Sequence, residues 1–166
     1  MDSLDMFRKL AEYNRKFNES VYEVCGQLSE EERRRDMKAF FRSIHSTLNH
    51  ILVADTIWLS RLNGRPLAIT SLDQELHADF ASLAHARKQT DEDLERTVAN
   101  LRPEDIDGSI TYRSILVNKE SSSRRGRILM HVFNHQTHHR GQVTTLLSQL
   151  GHDVGVTDFI ALVEPW

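Results

Sequence analysis

The amino-acid sequence predicts an all-α fold, a four-helix bundle, and three observations carry the prediction. Apolar residues recur at intervals of mostly three and four over four long stretches. Turn and cap signals punctuate them, at Ser29, Asn63-Gly64, Pro103 and Gly151. With 166 residues, of which 39% are hydrophobic and 27% charged, the chain is long enough to bury its own core, and one domain spanning 1–166 is expected.

The first stretch runs from Leu4 to Leu28, with Phe7, Leu10, Ala11, Phe17, Val21 and Val24 on one side of an amphipathic helix. Ser29 and the three glutamates after it read as an N-cap with acids in the first turn. Spacing does not decide whether 30–36 is a helix of its own or the start of the next. A second helix is read from Met37 to Leu62, carrying Phe40, Phe41, Ile44, Leu48, Ile51, Leu52, Trp58 and Leu59. Asn63-Gly64 stops it, Pro66 follows, and 65–70 reads as a loop.

The third helix is read from Ser71, through Leu72, Leu76, Phe80, Leu83, Leu94 and Val98, to the boundary at Pro103. Asp79, Arg87, Lys88, Asp91 and Glu95 are expected to face water. Between Pro103 and Asn118 the β-favouring residues Ile110, Tyr112 and Ile115 to Val117, with a turn at Asn118-Lys119, fit either a short hairpin or an irregular crossover. Ser121 to Ser123 offer caps for a fourth helix from Arg124 to Leu150, and Phe159 to Val163 should pack across the bundle end.

Composition narrows the function classes. A net charge of -3, a pI near 6.3 and interspersed charges leave no electrostatic footprint for nucleic acid. No apolar run approaches the ~18 residues of a membrane span, and the acidic N-terminus does not fit a signal peptide. The single cysteine, Cys25, precludes an internal disulfide and fits a reducing cytoplasm; its place on an apolar pattern makes it a core thiol.

The chemistry concentrates in HVFNHQTHHRGQ, residues 131–142, where four histidines fall within nine residues of the fourth helix. His135 and His139 are one turn apart on one face and could share a metal ion. A third ligand must come from elsewhere, and His50 is the best candidate, since it lies near the middle of the second helix as His135 does of the fourth. His45, about 140° round from His50, cannot share its face. His131 and His138 offer competing pairs by spacing, although the apolar pattern places them toward the polar edge, as pocket residues at most. His77, His85 and His152 lack partners at ligand spacing.

Neighbouring residues suggest supporting roles. Asp55 and Arg140 both fall on apolar sides and are read as a buried pair fixing helix register; Trp58 is read as core. Gln142 could orient a metal-bound ligand, and Gly141, inside a helix, implies close backbone approach or a local distortion. No carboxylate stands at ligand-adjacent spacing as a general base, which favours thiolate chemistry over hydrolysis.

HQTHHRGQ, the segment HILVADTIWLSRLNG and the tail TDFIALVE together resemble the DinB-like family of damage-inducible, metal-dependent proteins, over nearly the whole chain. The resemblance implies an up-down-down-up four-helix bundle, often a homodimer, with zinc or nickel held by residues matching His50, His135 and His139. It further implies either an S-transferase that uses a low-molecular-weight thiol on a small-molecule substrate, or a member without assigned substrate. A metal-dependent hydrolase and a noncatalytic metal-binding stress-response protein are the alternatives.

Overall fold

The computed structural model describes residues 3–163; Met1 and Asp2 of the acidic N-terminus and Glu164, Pro165 and Trp166 of the tail lie outside the described residues. Its helices are α1 (Ser3–Gln27), α2 (Glu30–Arg34), α3 (Ile44–Leu62), α4 (Phe80–Ala99), α5 (Arg125–Gln149) and α6 (Phe159–Val163). Two strands, β1 (Ser109–Arg113) and β2 (Glu120–Arg124), form an antiparallel hairpin between α4 and α5, with Tyr112 opposite Ser121.

Side-chain pairing fixes the direction of each long helix. Phe7 meets Phe133 and Asn14 meets Arg140, so α1 and α5 run parallel. Tyr22 stacks on Phe80 while Arg15 pairs with Glu95, so α4 runs against α1. Asp55 with Arg87, and Asn63 with Thr97, make α3 parallel to α4. Trp58 with His131, and His50 with His139, make α3 antiparallel to α5. The order is therefore up-down-down-up, as the family resemblance implies. The packed pairs are α1 with α4, α4 with α3, α3 with α5 and α5 with α1, so the links from α1 to α3 and from α4 to α5 cross the bundle diagonals.

Local chemistry explains the boundaries. Ser29 and Glu32 form a reciprocal capping box that starts α2 as a separate short helix. Gly151, at φ 84°, ends α5 where the N–H of His152 donates to the carbonyl of Leu147 at 3.0 Å.

Three boundaries differ from the sequence reading. Helix α3 begins at Ile44, not Met37, because the chain turns through left-handed backbone at Lys38 and Arg42 before Ser43 caps the helix. Helix α4 begins at Phe80, not Ser71: Asp79 caps it, and 65–79 is irregular chain. Asn49 holds that segment to α3, its Oδ1 accepting the N–H groups of Leu76 and His77 at 2.9 and 3.0 Å. Ser121 to Ser123 are not caps but the middle of β2, and 115–117 belong to the hairpin connection rather than a strand. Asn118, at φ 50°, supplies the turn. Helix α6 packs along α1, with Tyr13 edge-on to Phe159.

Two large apolar clusters fill the bundle, and a third, small one of Val53, Ile57 and Ile69 lies where the 65–79 segment covers α3. Of the two large ones, one gathers Phe17, Val21, Cys25, Leu48, Leu52, Leu83 and Leu147. The other gathers Phe7, Leu59, Leu94, Val98, Leu129 and Val132. Between them, at one height, lies a buried polar layer of Asn14, Asn18, Asp55, Arg87, Asp91, Gln136 and Arg140. Arg87 donates to Asp55 at 2.5 Å and reaches Asp91 at 2.8 Å. Arg140 donates to Asn14, Asn18 and the Oε1 of Gln136, whose amide in turn donates to Asp55 at 2.5 Å. The layer thus contains two cations and two anions, the balance that buried charges require.

This layer corrects the expected Asp55–Arg140 pair. The ion-pair partner of Asp55 is Arg87, and Arg140 makes no direct contact with it but is linked to it through Gln136. It also moves Arg87 and Asp91, read as water-facing, into the interior at 2% and 3% exposure. Burial pushes the Asp55 carboxyl up, against the opposing pull of Arg87. Gly141 is exposed with open space where a Cβ would stand, so neither close approach nor distortion explains it.

Candidate metal centre

The antiparallel packing of α3 on α5 brings His50 against the face that His135 and His139 share. The ligand-capable atoms of these three histidines all lie within 4.8 Å of one another, and no other cluster of this kind occurs among the described residues. The Nε2 atoms of His50 and His135 face each other at 3.1 Å. His50 and His139 are buried and His135 is half-buried.

The outward nitrogens set the tautomers. His50 donates from Nδ1 to the carbonyl of Leu72 at 3.0 Å, and His139 donates from Nδ1 to Oε1 of Gln142 at 2.8 Å. Each bond leaves an Nε2 lone pair for the shared space, the arrangement in which a second group fixes the ring of a ligating histidine. The Nδ1 of His135 is buried without a hydrogen-bond partner. With the Nδ1 of His50 donating outward, its Nε2 presents a lone pair toward the Nε2 of His135, and a cation shared by the rings would turn that close approach into coordination. The three residues fit a divalent metal, and imidazole donors suit zinc, nickel, copper or iron alike.

Electrostatics favour the neutral form of each ring. Burial, and then the neighbouring His139 and His50, push His135 down to about 3. Burial lowers His50 and His139 as well, against the hydrogen bonds from Leu72 and Gln142. Neutral imidazole is the form that binds metal. Between pH 3 and 6.5 the unfolded chain therefore binds more protons at His135 than the folded chain does. The metal-free protein should gain stability as pH rises through that window, with a slope of at most ~1.4 kcal/mol per pH unit from this ring. Asp55, raised rather than lowered, acts in the opposite sense, so the contribution of His135 is read as the difference between chelated wild type and His135→Phe in urea unfolding from pH 4 to 8. Equal pH dependence in the two proteins would contradict it.

Sequence reasoning missed Phe41, which stacks on His50 with ring centroids 3.9 Å apart and meets His139 edge-on. It comes from the turn before α3, and its helical spacing concealed that. Leu72 was read as a helical core residue, yet its free carbonyl orients His50, which it could not do inside a regular helix. His45 is buried and bound by Glu75, Asn49 and the carbonyl of His77; it fastens the 72–79 segment and lies apart from the cluster. His131 and His138 are exposed on α5, and His77, His85 and His152 join no cluster.

Gln142 bridges two histidines, accepting from His139 and placing its amide nitrogen 3.3 Å from Nε2 of His138. Gln142→Leu should weaken metal binding by ~10–100-fold with little change in fold, the usual effect of removing the group that orients a ligand. Competition with a chromogenic chelator measures it; an unchanged affinity would show that His139 needs no such partner.

Beside the cluster opens a cavity of about 260 Å³, walled by Ala54, Ile57, Trp58, Leu72, Tyr112, Ile115 and Leu116, with His50 and His135 at one end. Trp58 is half-buried on this wall, not enclosed in the core, and touches His131 and Tyr112 edge-on. Among the described residues no carboxylate lines the cavity.

Comparisons with known proteins agree with this architecture. A family model described as the DinB family matches residues 1–165. Protein DinB of Bacillus subtilis is 26% identical over 170 residues, covering 93% of this chain and 92% of that protein. A crystal structure of a DinB-like protein from Bacillus cereus superposes with a TM-score of 0.64 at 20% identity, over 84% of this chain and 89% of the other. Among the described residues no helix is long and apolar enough to cross a membrane.

Proposed function

The chain belongs to the DinB family, and from that premise we propose that it is a metal-dependent enzyme: an S-transferase that joins a low-molecular-weight thiol to a small electrophile at a site held by His50, His135 and His139. The observation that carries this reading is the convergence of three neutral imidazoles beside a cavity. A divalent ion held there, zinc or nickel, supplies Lewis acidity, lowering the pKa of a thiol or water held next to it.

The residues of the chain account for the rest. Leu72 and Gln142 orient two of the rings, Phe41 shields them on one flank, and the apolar cavity wall excludes water from the other. Among the described residues no carboxylate lines the cavity, which weighs against a hydrolase of the kind that pairs its metal with an acidic general base and so supports the thiol reading. By family likeness we propose a cytoplasmic homodimer.

Metal analysis of the purified protein, followed by a screen of thiols against an electrophile panel, tests the proposal. One equivalent of metal and turnover that requires thiol are expected. Turnover without thiol would mark a hydrolase instead. A fourth coordination position filled by a protein side chain, with no turnover, would mark a noncatalytic metal-binding protein.

A further inference from the structure

The far end of the same cavity holds a cation that has no counter-ion among the described residues. Arg61 lines the cavity three turns along α3 from His50, roughly 16 Å by helix rise. Its guanidinium packs against the rings of both Trp58 and Tyr112, 4.5 and 4.4 Å from their centroids. One nitrogen, Nη2, donates to the carbonyl of Arg113 at 2.9 Å. Other arginines of the chain, such as Arg15, Arg65, Arg87 and Arg102, pair with carboxylates. Among the described residues no carboxylate lies within ion-pair distance of Arg61, and burial depresses its pKa accordingly.

The two rings meet each other edge-to-face, with centroids 5.2 Å apart and planes at 79°, and hold the guanidinium in the corner between them, so it is packed on aromatic surface while donors beyond Nη2 remain for hydrogen bonding. The edge of a guanidinium is the fork that recognises a carboxylate in a planar, two-pronged contact. Holding a half-buried cation without an anion has a desolvation cost that an incoming anion would repay. Between Arg61 and the histidines, the cavity offers mainly the apolar side chains of Ala54, Ile57, Leu72 and Leu116.

We propose that this cavity binds a small amphipathic organic acid, its carboxylate on the edge of Arg61 and its apolar body laid along α3 toward the histidine cluster. The volume, somewhat below the ~300–1,000 Å³ of drug-sized pockets, suits a compact molecule. The inference deepens the enzymatic reading by naming the substrate class. It rests on that reading only for the claim that the bound acid is a substrate, since binding itself requires neither turnover nor a particular metal.

The test is calorimetric titration of the full-length protein, as purified, with 4-phenylbutyrate and with its neutral amide. The acid should bind at least ~10-fold more tightly than the amide, the size of one charge-assisted contact. In Arg61→Met, checked for an unchanged thermal transition, the two probes should bind within about twofold of each other. A preference that survives in Arg61→Met would place the carboxylate on the metal instead and overturn the proposal. Equal binding of acid and amide by wild type, or no binding of either, would overturn it too. Should Arg61→Met fail to fold, Arg61→Lys keeps the charge and loses the fork: a preference reduced severalfold supports the guanidinium contact, and an undiminished one refutes it. Thiol-dependent turnover does not enter any of these readouts, so loss of the enzymatic reading and loss of this one remain distinguishable.

Discussion

Replacing His135 with alanine is expected to reduce bound metal from about one equivalent to under a tenth, and to abolish any thiol-dependent turnover with it. His135 meets both other members of the cluster, with ring centroids 5.0 Å from His50 and 4.3 Å from His139, and its Nε2 lies 3.1 Å from that of His50. Its removal leaves two donors on different helices and a cavity in place of the ring. Since loss of an orienting partner alone costs ~10–100-fold in affinity, loss of a donor should exceed that range. His138→Ala is the matched control: one residue from His139 but exposed, it should retain metal. Metal content by atomic emission, with thermal unfolding before and after chelation, reads both. If the purified protein carries no metal, and replacing His50, His135 and His139 together leaves stability unaltered, the metal centre does not exist.

The second large effect lies in the polar layer. Asp55→Ala should destabilise the protein by about 3–5 kcal/mol, the range for breaking a buried ion pair by removal of one partner. The change leaves Arg87 with Asp91 alone and strips Gln136 of its acceptor. A double-mutant cycle in urea should show strong coupling between Asp55 and Arg87. Coupling between Asp55 and Arg140 should be smaller and should weaken further in a Gln136→Leu background, because Gln136 is the shortest hydrogen-bonded link between them. Equal coupling of Asp55 to both arginines would refute this wiring.

That layer also shows where sequence reasoning stopped. Four helices were legible because burial follows the helical period, and the three clustered histidines because one pair shares a face and the third sits at mid-helix. The polar layer was not, since Arg87 and Asp91 read as surface by residue type. A signal was nevertheless present: Leu83, Arg87, Leu94 and Val98 continue one apolar stripe, and Asn14 and Asn18 stand between Ala11 and Val21 on another. A charged or amide residue in register with a core stripe is a buried polar group awaiting its partner. Which partner it meets depends on the relative height of helices, and periodicity within one helix says nothing of that. The same limit explains Phe41 and Leu72, whose roles arise from irregular chain that apolar spacing had assigned to helices.

The diagonal link between α4 and α5 has a consequence for how such a protein can change. An up-down-down-up bundle obliges the chain to travel across one end before its last long helix, and here residues 100–124 make that journey as a hairpin. The same excursion supplies Tyr112, Ile115 and Leu116 to the cavity wall. A segment required by topology alone therefore also shapes what the cavity admits, while all three histidines and nearly all buried members of the two larger apolar clusters lie on helices. Hairpins of different length or side chains could be exchanged on one unchanged bundle, so ligand preference can diversify independently of the framework that holds the histidines.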